Sequence, residues 1–235
     1  MDRMALVTYK DLCIDVNDLH ASAAFWAETL GLRVVPDEGV AGEQGEVHLE
    51  GPTPRHTVWP CVVPEPKSVK DRVHLDVRAA ASVLPGTTRI SAEGEFRWTV
   101  VAGPEGDEIC TFVRDDVPDY RLYELCVDVA DHRAAAAWWQ GVWGGTIGSE
   151  EEQRFSWLED VPGMPFEGIV FCDVPEPKTV KNRLHWDVTL TAGSGVADLE
   201  ALGATVLRRP DDEVVWTVMA DPDGNEFCVF DEDAA

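Results

Sequence analysis

The stretch that decides the fold is VPEPKSVKDRVHLDV at residues 63–77, because it recurs as VPEPKTVKNRLHWDV at residues 174–188. Eleven of the fifteen positions are identical at a constant offset of 111. WTVVAGPEGDEIC at 98–110 likewise recurs as WTVMADPDGNEFC at 216–228, and a looser pair begins at Leu12 and Leu125. The three pairs keep the same order in both halves, so the chain is an internal duplication.

The boundary between the two copies is predicted at RDDVPD, residues 114–119, a short polar stretch in which Pro118 interrupts the strand pattern. This divides the chain into two domains of similar size, residues 1–116 and 119–235. Because few residues separate the copies, we expect the halves to pack against each other.

Charge and composition exclude several classes of partner. Lys and Arg number 19 against 44 Asp and Glu, a net charge of −25 that repels nucleic acid and anionic lipid. The sequence has no apolar run of the ~20 residues that span a membrane, and no signal peptide is recognised at its start. We therefore expect a cytoplasmic monomer or homodimer that binds neither nucleic acid nor membranes. The six cysteines contain no CxxC motif and are interpreted as free thiols.

Each copy predicts the same order of elements. A strand at 11–16 or 124–129 precedes a helix capped by Asp18 or Asp131, and Gly31 ends the first of these helices. The RxHxDV run predicts a strand, and DPDGNE between WTVMA and FCVF predicts a tight hairpin. A second helix at 197–202 is expected only in the second copy, since Pro85 and Gly86 interrupt the first. The pattern indicates an α+β protein with two βαβββ modules per domain.

These motifs resemble those of the vicinal-oxygen-chelate superfamily, and most closely its tandem glyoxalase-like and bleomycin-resistance-like members. The resemblance covers nearly the whole chain, once in each half. It implies two tandem domains of the glyoxalase, bleomycin-resistance and dioxygenase type, each built of paired βαβββ modules forming a cupped sheet. It is less specific for a reaction, because one fold supports many functions.

The resemblance also implies where a divalent metal would bind. Matching the positions gives Glu124, His185 and Cys228, with a second set in the other copy made of Asp11, His74 and Cys110. A carboxylate, an imidazole and a thiolate suit zinc, whereas an iron oxygenase site with two histidines and one carboxylate is not intact. The competing interpretation is that the cysteines pack as small buried hydrophobes and that His185 joins a buried polar network.

Other candidate residues concern ligand binding. Arg183, within the basic cluster Lys178, Lys181 and Arg183, suits a bidentate contact to an anionic ligand or, alternatively, an ion pair between the halves. Trp157, Trp216 and Asp187 are candidates for lining a cleft that stacks a planar molecule.

Three functions remain open at this stage. The leading one is binding of a small hydrophobic or aromatic organic molecule in a cupped cleft. The second is a metal-assisted lyase, isomerase or transferase, with Glu124 and His185 as acid–base residues; an extradiol-type dioxygenase is less favoured. The third is a structural protein with filled, vestigial sites.

Overall fold

The computed structural model describes residues 5–36, 47–150, 152 and 154–231. In these ranges the chain forms strands and helices that repeat in the order expected of βαβββ modules. The strands are β1 Val7–Val16, β2 Arg33–Pro36, β3 Val47–Glu50, β4 Val58–Val62, β5 Val73–Ala79, β6 Thr88–Arg89, β7 Thr99–Ala102, β8 Glu108–Val113, β9 Leu122–Val129, β10 Thr146–Glu150, β11 Phe155–Glu159, β12 Gly168–Asp173, β13 Leu184–Leu190, β14 Thr205–Arg208, β15 Thr217–Ala220 and β16 Glu226–Phe230. The helices are α1 Leu19–Leu30, α2 His132–Trp143 and α3 Val196–Ala201, with a 3₁₀ turn at Pro54–His56.

The strands form two eight-stranded sheets, and each sheet takes strands from both halves of the chain. The first has the order β14-β15-β16-β13-β1-β4-β3-β2, and the second β10-β11-β12-β9-β5-β8-β7-β6. The predicted fold class, two tandem glyoxalase-type domains of paired βαβββ modules in cupped sheets, is confirmed. The modules that share a sheet, however, come from opposite halves: β1 pairs with β13, and β5 with β9, both antiparallel.

Helices α1 and α2 begin at the predicted caps and α1 ends at the predicted Gly31, while α3 at Val196–Ala201 lies one residue before the predicted 197–202. The Asp18 side chain accepts a hydrogen bond from the Ala21 N–H, and Asp131 accepts two at the start of α2, which satisfies N–H groups that have no partner within the helix. Gly31 ends α1 at φ 73°, in the left-handed region. A Cβ added there would lie 1.7 Å from the Asp119 carbonyl oxygen, so the helix end also fits closely against the segment that joins the halves.

The core lies between the two sheets, with the helices packed inside it. Helix α2 packs on β10, β11 and β12 of the second sheet, while its Trp139 contacts Trp186 and Phe227 of the first. Trp139 and Trp186 are fully buried, as is Trp26 of α1. Trp26 of α1 and Trp139 of α2 are therefore core residues that pack their helices between the sheets. Since side chains alternate along a strand, the face of each sheet that points away from this core remains available for a site.

Two β-bulges lie at equivalent places in the sheets. The register of β1 against β13 shifts between Tyr9 and Asp11, and that of β9 against β5 shifts between Leu122 and Glu124. The extra residues are Lys10 and Tyr123. Bulges of this kind redirect a side chain, and here they give the two concave faces different residues at otherwise matching positions.

None of the helices in the described part of the chain is long and apolar enough to cross a membrane.

Candidate functional site

Each sheet has a concave face, and the polar residues of the repeat motifs meet on it. We call the face formed by β4, β1, β13 and β16 cup 1, and the face formed by β12, β9, β5 and β8 cup 2. The two are built from matching strands, so each places the same residue types side by side.

The floor of cup 1 is set by the pairing of its strands. Cys13 lies opposite His185, and Asp11 lies opposite Asp187. On the next strand Cys228 lies beside Asp187. The ligand atoms of Cys13, His185 and Asp187 all lie within 4.8 Å of one another, a group able to hold a metal ion.

The floor of cup 2 repeats this arrangement. His74 lies opposite Cys126, Asp76 lies opposite Glu124, and Cys110 lies beside Asp76. The ligand atoms of His74, Asp76 and Cys110 form a second group within 4.8 Å. The structure therefore contains two groups of residues with the chemistry of a metal site, one in each cup.

Several polar atoms on these floors have no hydrogen-bond partner. They are buried, and buried polar groups are normally paired because desolvation is costly. They comprise Asp11 Oδ1, His185 Nδ1, Asp187 Oδ1, His74 Nδ1 and Asp76 Oδ1. Within each cup, His Nε2 lies 3.6–3.7 Å from the nearest carboxyl oxygen, too far for a hydrogen bond. These atoms indicate that each floor is suited to a ligand, a metal ion or water.

Burial shifts the pKa of several groups on both floors toward their neutral forms. It lowers the pKa of His74 and of His185 to about 3, so both imidazoles are neutral. Burial, together with the facing carboxylate, raises the pKa of Asp187 beside Asp11 and of Asp76 beside Glu124. Glu124 has a pKa raised to about 7 by burial and by nearby Glu167.

Cup 1 opens into a cavity of about 880 Å³. Its floor includes His185, Asp187 and Cys228, and its walls carry aromatic side chains. Trp216 stacks on Phe230 with ring centroids 5.3 Å apart, and the Lys10 ammonium lies 4.4 Å above the Phe230 ring. The Trp59 indole N–H donates to Asp11. A volume of this size with apolar walls and a few polar groups is typical of small-molecule sites.

At the edge of cup 2, aromatic side chains pack on one another. Trp98 stacks between Phe96 and Phe112, with centroid distances of 5.2 and 5.6 Å. Tyr123, the bulge residue, packs edge-on against Phe112, and the Arg78 guanidinium lies 4.7 Å over its ring. The same positions in cup 1 are occupied by Trp216, Phe230 and Lys10, so the two cups differ most at their edges.

The predicted metal sets are divided between the sheets. Glu124 lies in cup 2 with His74 and Cys110, and Asp11 lies in cup 1 with His185 and Cys228. The grouping of Glu124 with His185 and Cys228, and of Asp11 with His74 and Cys110, is therefore wrong, because the cups form between modules of opposite halves. Glu124 and His185, which were predicted to act together as acid and base, likewise lie in different cups.

The residues predicted to bind a ligand also lie in different parts of the structure. Trp216 and Asp187 line the cup 1 cavity together. Trp157 belongs to the second sheet, where it lies opposite Gly148 and its indole N–H donates to Glu159. A Cβ on Gly148 would lie 2.1 Å from the Trp157 ring, so the glycine makes room for it.

Arg183 lies outside both cups. Its guanidinium donates to the Asp15 and Glu65 carbonyl oxygens and pairs with Glu105 at 2.9 Å. It borders a separate cavity of about 830 Å³ between the two PEPK loops. All three partners lie in the first half of the chain, which favours the interpretation of Arg183 as a residue that joins the halves.

Lys10, Cys13 and Asp76 also lie in the cups, although the sequence had predicted no role for them. Asp76 is the repeat partner of Asp187, and Cys13 shares strand parity with Asp11, so both were detectable from the pattern. Lys10 has the opposite parity and reaches cup 1 only because of the bulge, for which the sequence has no signal.

Comparison with known proteins agrees with this architecture. A family model described as a glyoxalase-like domain matches residues 11–112 and again 124–230. Glyoxalase I from Zea mays has a TM-score of 0.65 at 13% identity, over 97% of this chain and 93% of that one. A putative dioxygenase from Bacillus subtilis subsp. subtilis str. 168 has a TM-score of 0.63 at 15% identity, over 98% and 86%. At these identities the likeness shows the fold. No curated protein matches the chain by sequence.

Proposed function

This chain belongs to the glyoxalase-like domain family, and from that membership and its open cup we propose that it binds a small, planar, hydrophobic or aromatic organic molecule in cup 1. The observation that carries the proposal is the cavity of about 880 Å³ that reaches from an aromatic wall to the floor at His185. A structural protein with a filled site would leave no such space beside this residue.

The chemistry of the walls suggests how a ligand would be held. Trp216 and Phe230 offer stacked ring faces, and stacking adds about 0.5–1.5 kcal/mol beyond the burial of apolar area. At the floor, neutral His185 and the unpaired Asp187 Oδ1 can make hydrogen bonds to one polar group. A planar molecule with a single neutral hydroxyl or carbonyl would stack on the aromatic wall and form a hydrogen bond with the floor.

The proposal is tested with 1-naphthol, a neutral bicyclic phenol, titrated while its own fluorescence is followed. Trp216→Leu removes one wall of cup 1, and we expect it to weaken binding roughly 10-fold, the equivalent of one stacked ring. Trp98→Leu removes the repeat-equivalent tryptophan of cup 2 and serves as the matched control. Equal weakening in both variants, or no saturable binding by the wild type, would contradict cup 1 as the site.

A second candidate is a metal-assisted lyase, isomerase or transferase that uses the floor of the same cup. Cys13, His185 and Asp187, whose ligand atoms lie within 4.8 Å of one another, supply a thiol, an imidazole and a carboxylate, a donor set that suits zinc. The unpaired His185 Nδ1 and Asp187 Oδ1 fit such a role. A bound zinc ion would polarise a substrate carbonyl. Stoichiometric metal in purified protein that is absent from His185→Ala would favour this candidate.

In cup 2 the corresponding acid–base pair is Glu124 with Asp76, its direct neighbour across the sheet. Their side chains share one buried environment, where two adjacent carboxyls are not both ionised at neutral pH. This arrangement replaces the predicted pair of Glu124 and His185 in any catalytic role.

A further inference from the structure

The two copies of the repeat differ in the residue that precedes their wall tryptophan by two positions. Trp98 of cup 2 and Trp216 of cup 1 are equivalent in the repeated WTV motif. Two residues earlier the first copy has Phe96, whereas the second copy has Val214. The duplicated chain therefore shows the same wall once with an aromatic ring at this position and once with a short aliphatic side chain.

In cup 2, Phe96 covers the indole of Trp98. The two ring centroids lie 5.2 Å apart and the ring planes differ by only 6°, so the rings are nearly parallel. Phe112 stacks on the same indole at 5.6 Å and 25°, which completes a stack of three rings. Phe96 is 45% exposed and thus forms the outer end of the stack. The protein itself supplies the aromatic partner of Trp98 in this cup.

In cup 1, the corresponding indole has only one such partner. Trp216 stacks on Phe230 at 5.3 Å and 28°, much as Trp98 stacks on Phe112. No second ring of the described residues stacks on Trp216, because Val214 takes the position of Phe96. Val214 and Trp216 both border the cavity of about 880 Å³. The room that a phenyl ring would need beside this tryptophan is therefore part of the cavity.

The loop that carries Val214 is held by its own hydrogen bonds. The Asp211 carboxylate accepts from the Glu213 and Val214 N–H groups at 2.9 and 3.1 Å, and the Arg208 guanidinium donates to the same carboxylate. The Asp211 N–H in turn donates to the Val214 carbonyl oxygen. The space beside Trp216 is thus preformed, and a ligand can enter it without first ordering this loop.

We propose that Val214 determines which cup accepts a ligand: the ligand's ring lies on Trp216 in the place that Phe96 takes on Trp98, while Phe96 closes that place in cup 2. This inference rests on the function proposed for cup 1 and narrows its ligand class. A ring that lies parallel to an indole must be flat, so the site selects aromatic rings over saturated rings of the same outline. Phe96 acts as the built-in equivalent of the ligand.

The first test fills the place in cup 1. We expect Val214→Phe to weaken 1-naphthol binding by about 10-fold or more, since the new ring stacks where the ligand would. Val215→Phe is the matched control, because it makes the same change one residue further along, at a side chain that is 68% exposed. The control should keep the affinity of the wild type, and the Tm of both variants checks that they are folded.

The second test opens the place in cup 2. Phe96→Val gives the first copy the residue of the second, and we expect the variant to bind a second equivalent of 1-naphthol. Adding Trp98→Leu to this variant should remove the second equivalent and leave the first. As a test of ring type, 1-decalol, the fully saturated analogue, should compete with 1-naphthol at least about 10-fold more weakly than unlabelled 1-naphthol does.

The outcomes separate this inference from the function on which it rests. Binding that is weakened by Trp216→Leu but is the same in Val214→Phe and Val215→Phe keeps cup 1 as the site and overturns the role of Val214. A single equivalent in Phe96→Val overturns the role of Phe96, and equal competition by 1-decalol overturns the parallel stacking. No saturable binding by the wild type overturns both proposals.

Discussion

At the scale of single residues, burial controls the chemistry of both cups. Burial lowers the pKa of His74 and His185 to about 3, which keeps both imidazoles neutral. Burial and the carboxyl on the opposite strand raise the pKa of Asp187 and of Asp76. The residue types at these positions were predictable from the repeat. Their protonation was not, because it depends on the carboxyl that the opposite strand brings near.

Glu124 provides a test of this environment by pH. Its pKa is raised to about 7 from the ordinary 4.5, so the folded protein holds a proton that the unfolded chain releases between these values. Its contribution to stability is therefore present below pH 4.5 and lost as the pH rises through 7. We expect Glu124→Gln, which mimics the protonated form, to be more stable than the wild type by about 2 kcal/mol at pH 8 and by much less at pH 5.

Chemical denaturation at the two pH values measures this difference. Glu93→Gln, on the exposed surface between β6 and β7, is the control and should change the free energy of unfolding equally at both pH values. A pH-independent effect of Glu124→Gln would show that the carboxyl is ionised in the folded protein.

At the scale of elements, the two PEPK loops connect the halves through their arginines. Arg183 donates to carbonyl oxygens of Asp15 and Glu65, and Arg72 donates to carbonyl oxygens of Asp128 and Glu176. Each arginine thus bonds to elements of the opposite half. In the sequence these basic residues suited either an anionic ligand or pairing between the halves, with pairing preferred. The position of the opposite loop favours pairing between the halves.

We expect Arg183→Met to lower the free energy of unfolding by about 2–3 kcal/mol while 1-naphthol binding in cup 1 is unchanged. The change removes the arginine donor from the Asp15 and Glu65 carbonyl oxygens and the ion-pair partner from Glu105, in a place where the arginine side chain is only 11% exposed. The matched control is Arg209→Met, whose side chain is 66% exposed and 3.7 Å from Glu200, with an expected change within about 0.5 kcal/mol. Weakened naphthol binding without loss of stability would instead assign Arg183 to ligand recognition.

At the scale of the whole molecule, the two halves of the duplication exchange modules, so that each sheet contains strands from both. The first four strands of one half are completed by the last four strands of the other in both sheets. Neither half contains a complete cup, and the strands at the centre of each sheet, β1 with β13 and β5 with β9, come from different halves.

This architecture predicts the behaviour of the separated halves, residues 1–116 and 119–235. Alone, the first half exposes the edges of β1 and β5 and the apolar face beneath them, so we expect it to aggregate or to pair with a second copy. When the two halves are co-expressed, we expect them to purify as a 1:1 complex by size-exclusion chromatography. Calorimetry of that complex should show one cooperative unfolding transition. A folded, monomeric single half would contradict the exchange of modules.

The sequence by itself determined the duplication, the βαβββ order, the helix caps at Asp18 and Asp131, and the residue types on each floor. These features follow from local pattern: side chains alternate along strands, and Asp and Gly have distinct preferences at helix ends.

Only the tertiary structure decided which floor residues meet. The two RxHxDV strands, β5 and β13, carry the same pattern, so β1 has no local preference between them. The choice comes from contacts far apart in the chain, such as Gly31 against Asp119 and Trp139 against Trp186. For this reason Glu124 lies opposite Asp76 in the cup of His74 rather than in the cup of His185. Lys10 enters cup 1 through a bulge that exists only once β1 pairs with β13.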